Sequence, residues 1–221
     1  MSGMSKPEML SGKLMERTVQ DFLDELASGS PAPGGGSVSA LAGSLAASLV
    51  AMVARLSGGE LENDDMAQVL REASALKESL GRHVDEDTNA FNRVMQAYRL
   101  PKVTGDEKEK RSEVIQRALK GAADHPMLVA QECLRVLQLC REVAASGNPN
   151  ALSDAGVAAM MAYSGITGAM FNVAINLDGI KDAEYTARAG DERDRVMSEA
   201  AALYEEFRWQ MLERMPHMVE W

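Results

Sequence analysis

Two long stretches without a charged residue constrain the fold of this chain more than any other feature. They run from Pro31 to Ala54 and from Ala155 to Leu177, and each is about as long as a membrane span. Both are diluted by Gly, Ser and Asn. This dilution favours central helices packed on all sides over membrane insertion, so we expect no membrane partner.

The rest of the sequence predicts an all-α fold, an antiparallel bundle of about six or seven helices, several of them long. Alanine, leucine and methionine are abundant, aromatic residues make up 5%, and no alternating Val/Ile/Thr run occurs. A break at His125-Pro126 is expected because proline removes a hydrogen-bond donor. Short connections predict antiparallel neighbours. The predicted helices cover about 18–28, 36–56, 63–98, 106–123, 125–145, 149–177 and 182–215.

At 221 residues the chain has the length of one large domain. We expect a single helical domain over residues 18–215, preceded by a flexible arm, residues 1–17, and followed by a tail, residues 216–221. The arm lacks the pattern of a signal peptide, which predicts a cytoplasmic protein. Cys133 and Cys140 lie seven apart in an apolar helical pattern and are expected to be buried, reduced thiols. No Cys or His pair has zinc spacing, so no metal site is predicted.

The net charge of the chain indicates which classes of partner it can bind. A formal net charge of −10, spread along the chain, disfavours a nucleic-acid surface. The stretch from Arg99 to Lys120 departs from this balance, with seven basic and four acidic residues and hence a net +3. It is either an ordinary solvated helix or a docking surface for an anionic substrate tail.

A glycine-rich turn, Pro-Ala-Pro-Gly-Gly-Gly-Ser at residues 31–37, precedes the first uncharged stretch. Gly34, Gly35 and Gly36 can adopt positive φ angles and present N–H groups without a Cβ. Ser37 is placed to cap the following helix, whose N-terminus attracts anionic or electron-rich groups. The turn is therefore predicted to cradle a ligand.

An acid occupies an apolar stripe of the third predicted helix. Leu76, Leu80, Val84, Phe91, Val94 and Tyr98 follow steps of three or four, and the missing member is Asp87. A buried carboxyl group beside Asp85 and Glu86 is suited to exchanging a proton near neutral pH. The alternative is a structural Asp bonded to a helix end or paired with an arginine, and the pattern leaves both open.

A polar stripe follows one face of the second uncharged helix. Buried polar groups need hydrogen-bond partners, and these are supplied either by neighbouring helices or by a ligand in a polar pocket. Four polar side chains on one face favour the pocket. The stripe comprises Asn150, Asp154, Met161, Gly165, Gly168, Asn172 and Asn176.

Six motifs together resemble the cyclodeaminase/cyclohydrolase family, and the resemblance covers about Thr18 to Leu212. That family includes the C-terminal domain of formimidoyltransferase-cyclodeaminase and stand-alone bacterial methenyltetrahydrofolate cyclohydrolases. The motifs are Ser-Gly-Ser-Pro-Ala-Pro-Gly-Gly-Gly-Ser at 28–37, Asp-Thr-Asn-Ala-Phe at 87–91, Leu-Pro-Lys at 100–102, Asn-Pro-Asn at 148–150, Ser-Asp at 153–154 and Phe-Asn-Val-Ala-Ile-Asn-Leu at 171–177.

The resemblance implies an all-helical subunit that forms a homodimer, possibly a higher oligomer, with folate in a cleft at or near the subunit interface. It implies a tetrahydrofolate derivative as substrate, no covalently bound cofactor, and Asp87 as the catalytic proton donor or acceptor. The residues it places at the substrate are Ser30, Pro33, Gly34, Gly35, Gly36, Ser37, Lys102, Asn148, Asn150, Asp154, Asn172 and Asn176.

Three functions are compatible with these motifs. The first is a cyclohydrolase that interconverts 5,10-methenyltetrahydrofolate and 10-formyltetrahydrofolate, which we favour because no transferase domain accompanies the motifs on this chain. The second is a formimidoyltetrahydrofolate cyclodeaminase that releases ammonia. The third is a non-catalytic helical folate-binding or interaction protein.

Overall fold

Six α-helices make up the fold in the computed structural model, which describes residues 12–58, 64–215 and 217. The all-α prediction is confirmed, and the described residues contain no strand. Two short 3₁₀ helices, Leu14–Glu16 and Pro149–Ala151, precede α1 and α5. The α-helices are α1 (Val19–Leu26), α2 (Gly35–Leu56), α3 (Asp64–Tyr98), α4 (Gly105–Ser146), α5 (Leu152–Leu177) and α6 (Ala183–Arg214).

Helices α2 to α5 form the antiparallel bundle that the short connections predict. The Ser37 hydroxyl donates to the Val84 carbonyl and the Ser44 hydroxyl to the Lys77 carbonyl, so α2 and α3 run in opposite directions. Helix α5 packs against both α2 and α4. The N-terminus of α2, the middle of α3 and the C-terminal half of α5 therefore meet at one end of the bundle.

Helix α6 packs outside this bundle, against α4 and α5. It runs parallel to α4, since Gln131 donates to Glu192 and, seven residues further along both helices, Gln138 donates to Glu199. This leaves α2 and α3 free of α6 on the side that carries the glycine-rich turn.

Small residues let α2 and α5 approach closely. A Cβ on Gly165 would lie 3.0 Å from the Ser39 carbonyl oxygen, and one on Gly168 would overlap the Ser39 side chain. A Cβ on Gly43 of α2 would overlap Cys133 on α4. Buried side chains of the packed helices, among them Leu80, Val84, Cys133, Ile166 and Phe207, form the main core, and a smaller cluster around Ile115 and Leu119 is separate from it. Both predicted thiols are buried and free, and burial raises the pKa of each.

The two uncharged helices differ in how far they are covered. Both are long and apolar enough to cross a membrane by length and composition, and 67% of the most apolar window of α2 is buried inside the protein. For α5 the buried share is 44%. The expectation that both helices are packed on all sides is therefore wrong for α5 in the described part of the chain, where Phe171 and Ile175 on one face are each 72% exposed.

The predicted break at His125-Pro126 is also wrong, because α4 continues through it from Gly105 to Ser146 with Pro126 inside. Proline lacks the N–H that would bond to the carbonyl four residues earlier, that of Ala122. The Asn176 side chain replaces the missing donor, with its Nδ2 2.7 Å from the Ala122 oxygen. An amide from α5 thus satisfies the gap and α4 remains continuous.

Candidate active site

The glycine-rich turn and Asp87 lie in direct contact. Asp87 Oδ2 accepts hydrogen bonds from the Ser37 backbone N–H at 2.9 Å and from the Ser37 hydroxyl at 3.1 Å. Gly34 is the N-cap residue of α2 and Ser37 its third helical residue, so the Ser37 N–H is one of the amides that lack an intrahelical acceptor. A carboxylate from α3 therefore caps α2.

Ser37 does not cap the helix with its own side chain, contrary to the sequence prediction. Its hydroxyl instead donates to the Val84 carbonyl and to Asp87, both on α3. The N-cap position is taken by Gly34, which has no side-chain oxygen to offer. The capping role thus passes to Asp87, which the helix dipole also attracts as an anion.

None of the three glycines of the turn adopts a positive φ, so glycine is needed there for another reason. A Cβ on Gly36 would overlap the carboxylate of Asp87, so only glycine leaves room for it. A Cβ on Gly35 would meet Asn172 Nδ2 at an ordinary 3.5 Å, and one on Gly34 would meet nothing within 4 Å. The backbone of Gly34 and Gly35 is therefore open to a ligand.

Asp87 has one oxygen engaged and one available. Oδ2 carries both bonds to Ser37, whereas Oδ1 has no hydrogen-bond partner among residues 12–58, 64–215 and 217. The carboxyl group is half-buried. The structural alternative, an Asp bonded to a helix end, is thus observed, and it leaves a second oxygen in position to exchange a proton.

Two asparagines of the α5 stripe reach this end of the bundle. Asn172 Nδ2 donates to the Gly168 carbonyl and lies beside Gly35. Asn176 Nδ2 donates to the carbonyls of Ala122 and Asn172, which uses both of its hydrogens. The Asn176 amide nitrogen is therefore committed to the helices, and Asn172 is the member of the pair that faces the turn.

Three other predicted residues lie at the opposite end of the helix bundle. Asn148 donates its backbone N–H to Ser57 and its side chain to the Leu56 carbonyl, at the C-terminal end of α2. Asn150 and Asp154 follow it directly. Because α2 has 22 residues, its two ends lie about 33 Å apart. The α5 stripe thus does not line a single pocket within one chain.

Neither Lys102 nor Ser30 has a hydrogen bond or ion pair with Asp87 among the described residues. Lys102 is exposed in the connection between α3 and α4. Ser30 bonds through its N–H to the Ser28 hydroxyl in the turn before Pro31. Pro33 is buried and lines a cavity described below.

A cluster that sequence reasoning missed adjoins Asp87. His83 lies one turn before Asp87 on α3, and its Nδ1 is 3.0 Å from Nε2 of His125 on α4. On its other side, His83 Nε2 is 3.6 Å from Glu132 Oε1, which also accepts a 2.8 Å bond from the Ser79 hydroxyl. The four-residue spacing of His83 and Asp87 was the one available signal, since His125 comes from a different helix.

Burial is the main cause that lowers the pKa of His125 and favours its neutral form. The adjacent His83 lowers this pKa further, while the carboxylates of Asp87 and Glu86 partly offset this and Arg93 adds to it. Its Nδ1 is buried and has no hydrogen-bond partner in the described part of the chain. A neutral imidazole with an unused ring nitrogen thus stands beside the candidate acid.

A polar cavity of about 540 Å³ lies on the Pro33 side of Asp87. Asp85 and Thr88, on the same turn of α3 as Asp87, help to line it, and the Thr88 hydroxyl is buried without a hydrogen-bond partner among the described residues. The polar lining suits a heterocycle with several donors and acceptors. Its polar side chains are Lys13, Arg17, Glu25, Asp85, Thr88, Asn89 and Asn92.

A groove of about 490 Å³ follows the seam between α3 and α4, starting one turn of α4 from His125. Arg93 and Arg117 flank an apolar floor of Ala97, Leu100, Val114 and Ala118. Arg117 belongs to the basic stretch that the sequence analysis proposed as a docking surface. The groove therefore combines an apolar strip with two cations.

Comparison with known proteins agrees with the motifs. The family model described as formiminotransferase-cyclodeaminase matches residues 18–195. This chain therefore belongs to that family, and the resemblance inferred from the motifs is confirmed. The relatives named below are folate-metabolising enzymes.

Relatives of both activities are found. The methenyltetrahydrofolate cyclohydrolase of Methylorubrum extorquens is 41% identical over 192 residues, covering 85% of this chain and 92% of that protein. The formimidoyltransferase-cyclodeaminase of Mus musculus is 33% identical over 194 residues, covering 85% of this chain and 35% of that protein. The crystal structure of a formiminotetrahydrofolate cyclodeaminase from Thermotoga maritima matches with a TM-score of 0.80 at 26% identity, covering 91% of this chain and 98% of that one.

Proposed function

We propose that this protein is a methenyltetrahydrofolate cyclohydrolase that interconverts 5,10-methenyltetrahydrofolate and 10-formyltetrahydrofolate. The observation that carries the proposal is the 41% identity, over 92% of its length, to a protein of that name, compared with 33% to the mouse cyclodeaminase. The contact of Asp87 with the glycine-rich turn supplies the chemistry that such a reaction needs.

Asp87 is the acid/base group of the proposed reaction. The bridging carbon of the methenyl substrate is an electrophilic amidinium, and water adds to it as a proton is removed. Asp87 Oδ1, free of protein partners in the described structure, accepts that proton while Oδ2 stays bonded to Ser37. The adduct then opens at one carbon–nitrogen bond, and the protonated Asp87 returns its proton to the departing nitrogen.

The turn and its surroundings orient the substrate in this proposal. Backbone N–H groups at Gly34 and Gly35 are open to ligand, and the Asn172 side chain stands beside them. The polar cavity lined by Asp85, Thr88 and their neighbours offers donors and acceptors to the pterin ring. Fixed dipoles around the reacting carbon lower the barrier because they need no reorganisation during reaction.

The groove with Arg93 and Arg117 is the proposed site of the p-aminobenzoyl-glutamate tail. Its apolar floor fits an aromatic ring and its two guanidinium groups fit carboxylates. This assigns the role first expected of Lys102 to Arg117, one of its basic neighbours. Arg117→Glu should raise KM for the folate about 10-fold and leave kcat within 2-fold, because an exposed charge reversal costs on the order of 1 kcal/mol.

The control for the groove is Lys102→Glu, which makes the same charge change outside it. If Lys102→Glu raises KM as much as Arg117→Glu does, general electrostatic attraction explains the effect and the groove has no particular role. The KM comparison at low and high salt separates the two, since a long-range attraction is screened by salt.

Cyclodeaminase activity is the second candidate, favoured by the relatives of that name and by the structural match. The deciding experiment offers the purified protein both folates and follows the methenyl chromophore in the ultraviolet. Loss of the chromophore from methenyltetrahydrofolate supports cyclohydrolase, and its appearance with ammonia from formimidoyltetrahydrofolate supports cyclodeaminase. Tight binding of both without turnover would contradict both and favour the non-catalytic function.

A homodimer is part of the proposal. The uncovered face of α5 carries Val157, Met160, Phe171 and Ile175, of which the last two are each 72% exposed. Val38 and Leu45 form a similar exposed stripe on the adjacent α2. A second copy that covers this face would bury at least ~2,000 Å² in total, the scale of obligate dimers.

An antiparallel arrangement of the two copies would also explain the divided polar stripe. It would place the Asn150 end of one α5 beside the Asn172 end of the other. Asn148, Asn150 and Asp154 could then take part in substrate binding, as the family resemblance implies.

A further inference from the structure

The hydrogen bond between the two histidines has a definite direction. His83 Nε2 faces the Glu132 carboxylate at 3.6 Å, and a negative charge favours a hydrogen on the nitrogen that faces it. In neutral His83 the other nitrogen, Nδ1, is then the acceptor. The 3.0 Å contact therefore requires His125 Nε2 to be the donor.

This direction fixes the state of the remaining nitrogen. With its hydrogen on Nε2, neutral His125 carries a lone pair on Nδ1, and that atom is buried without a partner among the described residues. A buried acceptor without a donor is unfavourable unless water or a ligand supplies one. His125 Nδ1 is thus an unpartnered base, and its ring lies close enough to Asp87 for that carboxylate to raise the pKa of His125.

The end of the cluster away from His125 is the Glu132 carboxylate. Burial disfavours ionisation of Glu132, but hydrogen bonds from His83 and Ser79 outweigh it and lower the pKa of Glu132. The carboxylate is therefore ionised at neutral pH and faces His83 Nε2 as an acceptor. The groups that face His125 are His83, Glu86, Asp87 and Arg93.

Hydration of the methenyl group leaves one proton over. Water gives up one proton as it attacks and a second as its oxygen becomes the formyl carbonyl, whereas the departing nitrogen takes back only one. The substrate cation plus water therefore yields neutral formyl product plus one proton. Asp87 alone can shuttle the first proton but cannot remove the second from the site.

We propose that His125 and His83 relay this surplus proton from the Asp87 site to Glu132. His125 Nδ1 accepts the proton, His125 Nε2 passes its own to His83 Nδ1, and His83 Nε2 gives its proton to the Glu132 carboxylate, which loses it to water. Every bond broken to hydrogen is matched by one formed, and rotation of the two neutral rings resets the tautomers. The relay rests on the proposed function, and for a cyclodeaminase it would run inward.

The direction of the hydrogen bond can be tested without activity. The chain has three histidines, so nitrogen-15 spectra of labelled protein contain three imidazoles, and His217→Phe assigns the exposed one. We expect the hydrogen on Nε2 of both His83 and His125 at pH 8. A hydrogen on Nδ1 of His125 would overturn the relay, whatever the enzyme's activity.

Turnover tests the use of the relay. His125→Gln retains an amide N–H that can donate to His83 but cannot exchange a proton, and it should lower kcat about 10-fold or more with little change in KM. Imidazole added as a small proton carrier should restore part of that kcat, an effect that a purely structural loss does not show. His217→Phe should keep wild-type kcat.

The outcomes separate the relay from the proposed function. If the wild type hydrolyses methenyltetrahydrofolate and folded His125→Gln turns over within 2-fold of it, or loses kcat without response to imidazole, the relay is wrong and the function stands. If the wild type does not act on this folate, the proposed function and the relay of its surplus proton both fail, and the nitrogen-15 result still decides the direction of the hydrogen bond between the two histidines.

Discussion

At the residue scale, Asp87 joins a structural and a chemical role in one carboxyl group. Oδ2 satisfies an N–H at the start of α2, and Oδ1 remains available at the glycine-rich turn. The cap holds the carboxyl group in a fixed orientation, as an acid/base group requires. Gly36 is needed for this contact, because a side chain at position 36 would prevent the Asp87 carboxylate from approaching the turn.

Asp87→Asn should separate these two roles. Its amide oxygen can still accept from Ser37, but the side chain can no longer exchange a proton, so turnover should fall roughly 10²-fold or more while the helices stay folded. Steady-state kinetics and circular dichroism check this, with exposed Asp191→Asn as the control. Near wild-type turnover in a folded Asp87→Asn protein would remove Asp87 from the mechanism, with Asp154 as the next candidate.

Asp87→Leu should destabilise the protein, although the position of Asp87 in an apolar stripe suggests that leucine would stabilise it. An apolar residue in an apolar stripe should stabilise a helix bundle, but here leucine would leave the N–H and hydroxyl of Ser37 without their acceptor. Such a loss costs about 1 to 3 kcal/mol, so we expect a lower melting temperature.

Gly36→Ala should displace the carboxylate without removing it. The added Cβ overlaps Asp87, and a shift of about 1 Å in a catalytic group can cost on the order of 10²-fold in rate. Gly190→Ala is the matched helical control, since a Cβ there meets nothing within 4 Å and alanine should stabilise α6 by about 1 kcal/mol. Equal, unimpaired turnover in both variants would show that the close contact at Gly36 has no catalytic importance.

At the scale of the helices, the sequence predicts what local residues determine. The Thr18 cap of α1, the start of α2 after Gly34 and the end of α3 before Pro101 lie within two residues of their predicted places, because caps and breakers act on adjacent backbone. The stripe position of Asp87 likewise points directly to the candidate site.

What the sequence does not predict comes from contacts between distant residues. The break at Pro126 fails because the compensating donor, Asn176, stands fifty positions later. The histidine pair has the same origin, since the register of α3 against α4 brings His83 to His125. Asn176 itself is explained by this helix repair, which its motif position alone does not reveal.

Asn176 and Pro126 should therefore be coupled energetically. Asn176→Leu leaves the Ala122 carbonyl without its donor and should cost about 1 to 3 kcal/mol, whereas in a Pro126→Ala background the restored backbone N–H satisfies that carbonyl. Urea unfolding of the four proteins of this cycle measures the coupling. An equal cost of Asn176→Leu in both backgrounds would contradict the repair.

At the scale of the whole molecule, the open question is what covers α5. The stretch from Ala155 to Leu177 has no charge, and it presents mainly alanine and glycine positions to the bundle and large apolar side chains such as Phe171 and Ile175 outward. An exposed apolar stripe of this kind is typical of an interface. The neighbouring stripe of α2 extends it, so a second copy of the chain is the partner we propose.

Phe171→Glu tests this arrangement, because Phe171 makes no part of the core of one chain and is 72% exposed there. A charge placed in a covered apolar interface is left desolvated and unpaired, so the variant should dissociate to monomers at micromolar concentration while remaining helical. Val103→Glu is the control, since Val103 is 84% exposed in the connection between α3 and α4, away from both stripes. Light scattering should show a dimer for wild type and Val103→Glu.

If the wild type is a monomer, the uncovered face of α5 needs another occupant; if Phe171→Glu stays dimeric, the interface lies elsewhere. Because Asn172 follows Phe171 and faces the turn, loss of the dimer should also lower folate affinity, which links assembly to the site.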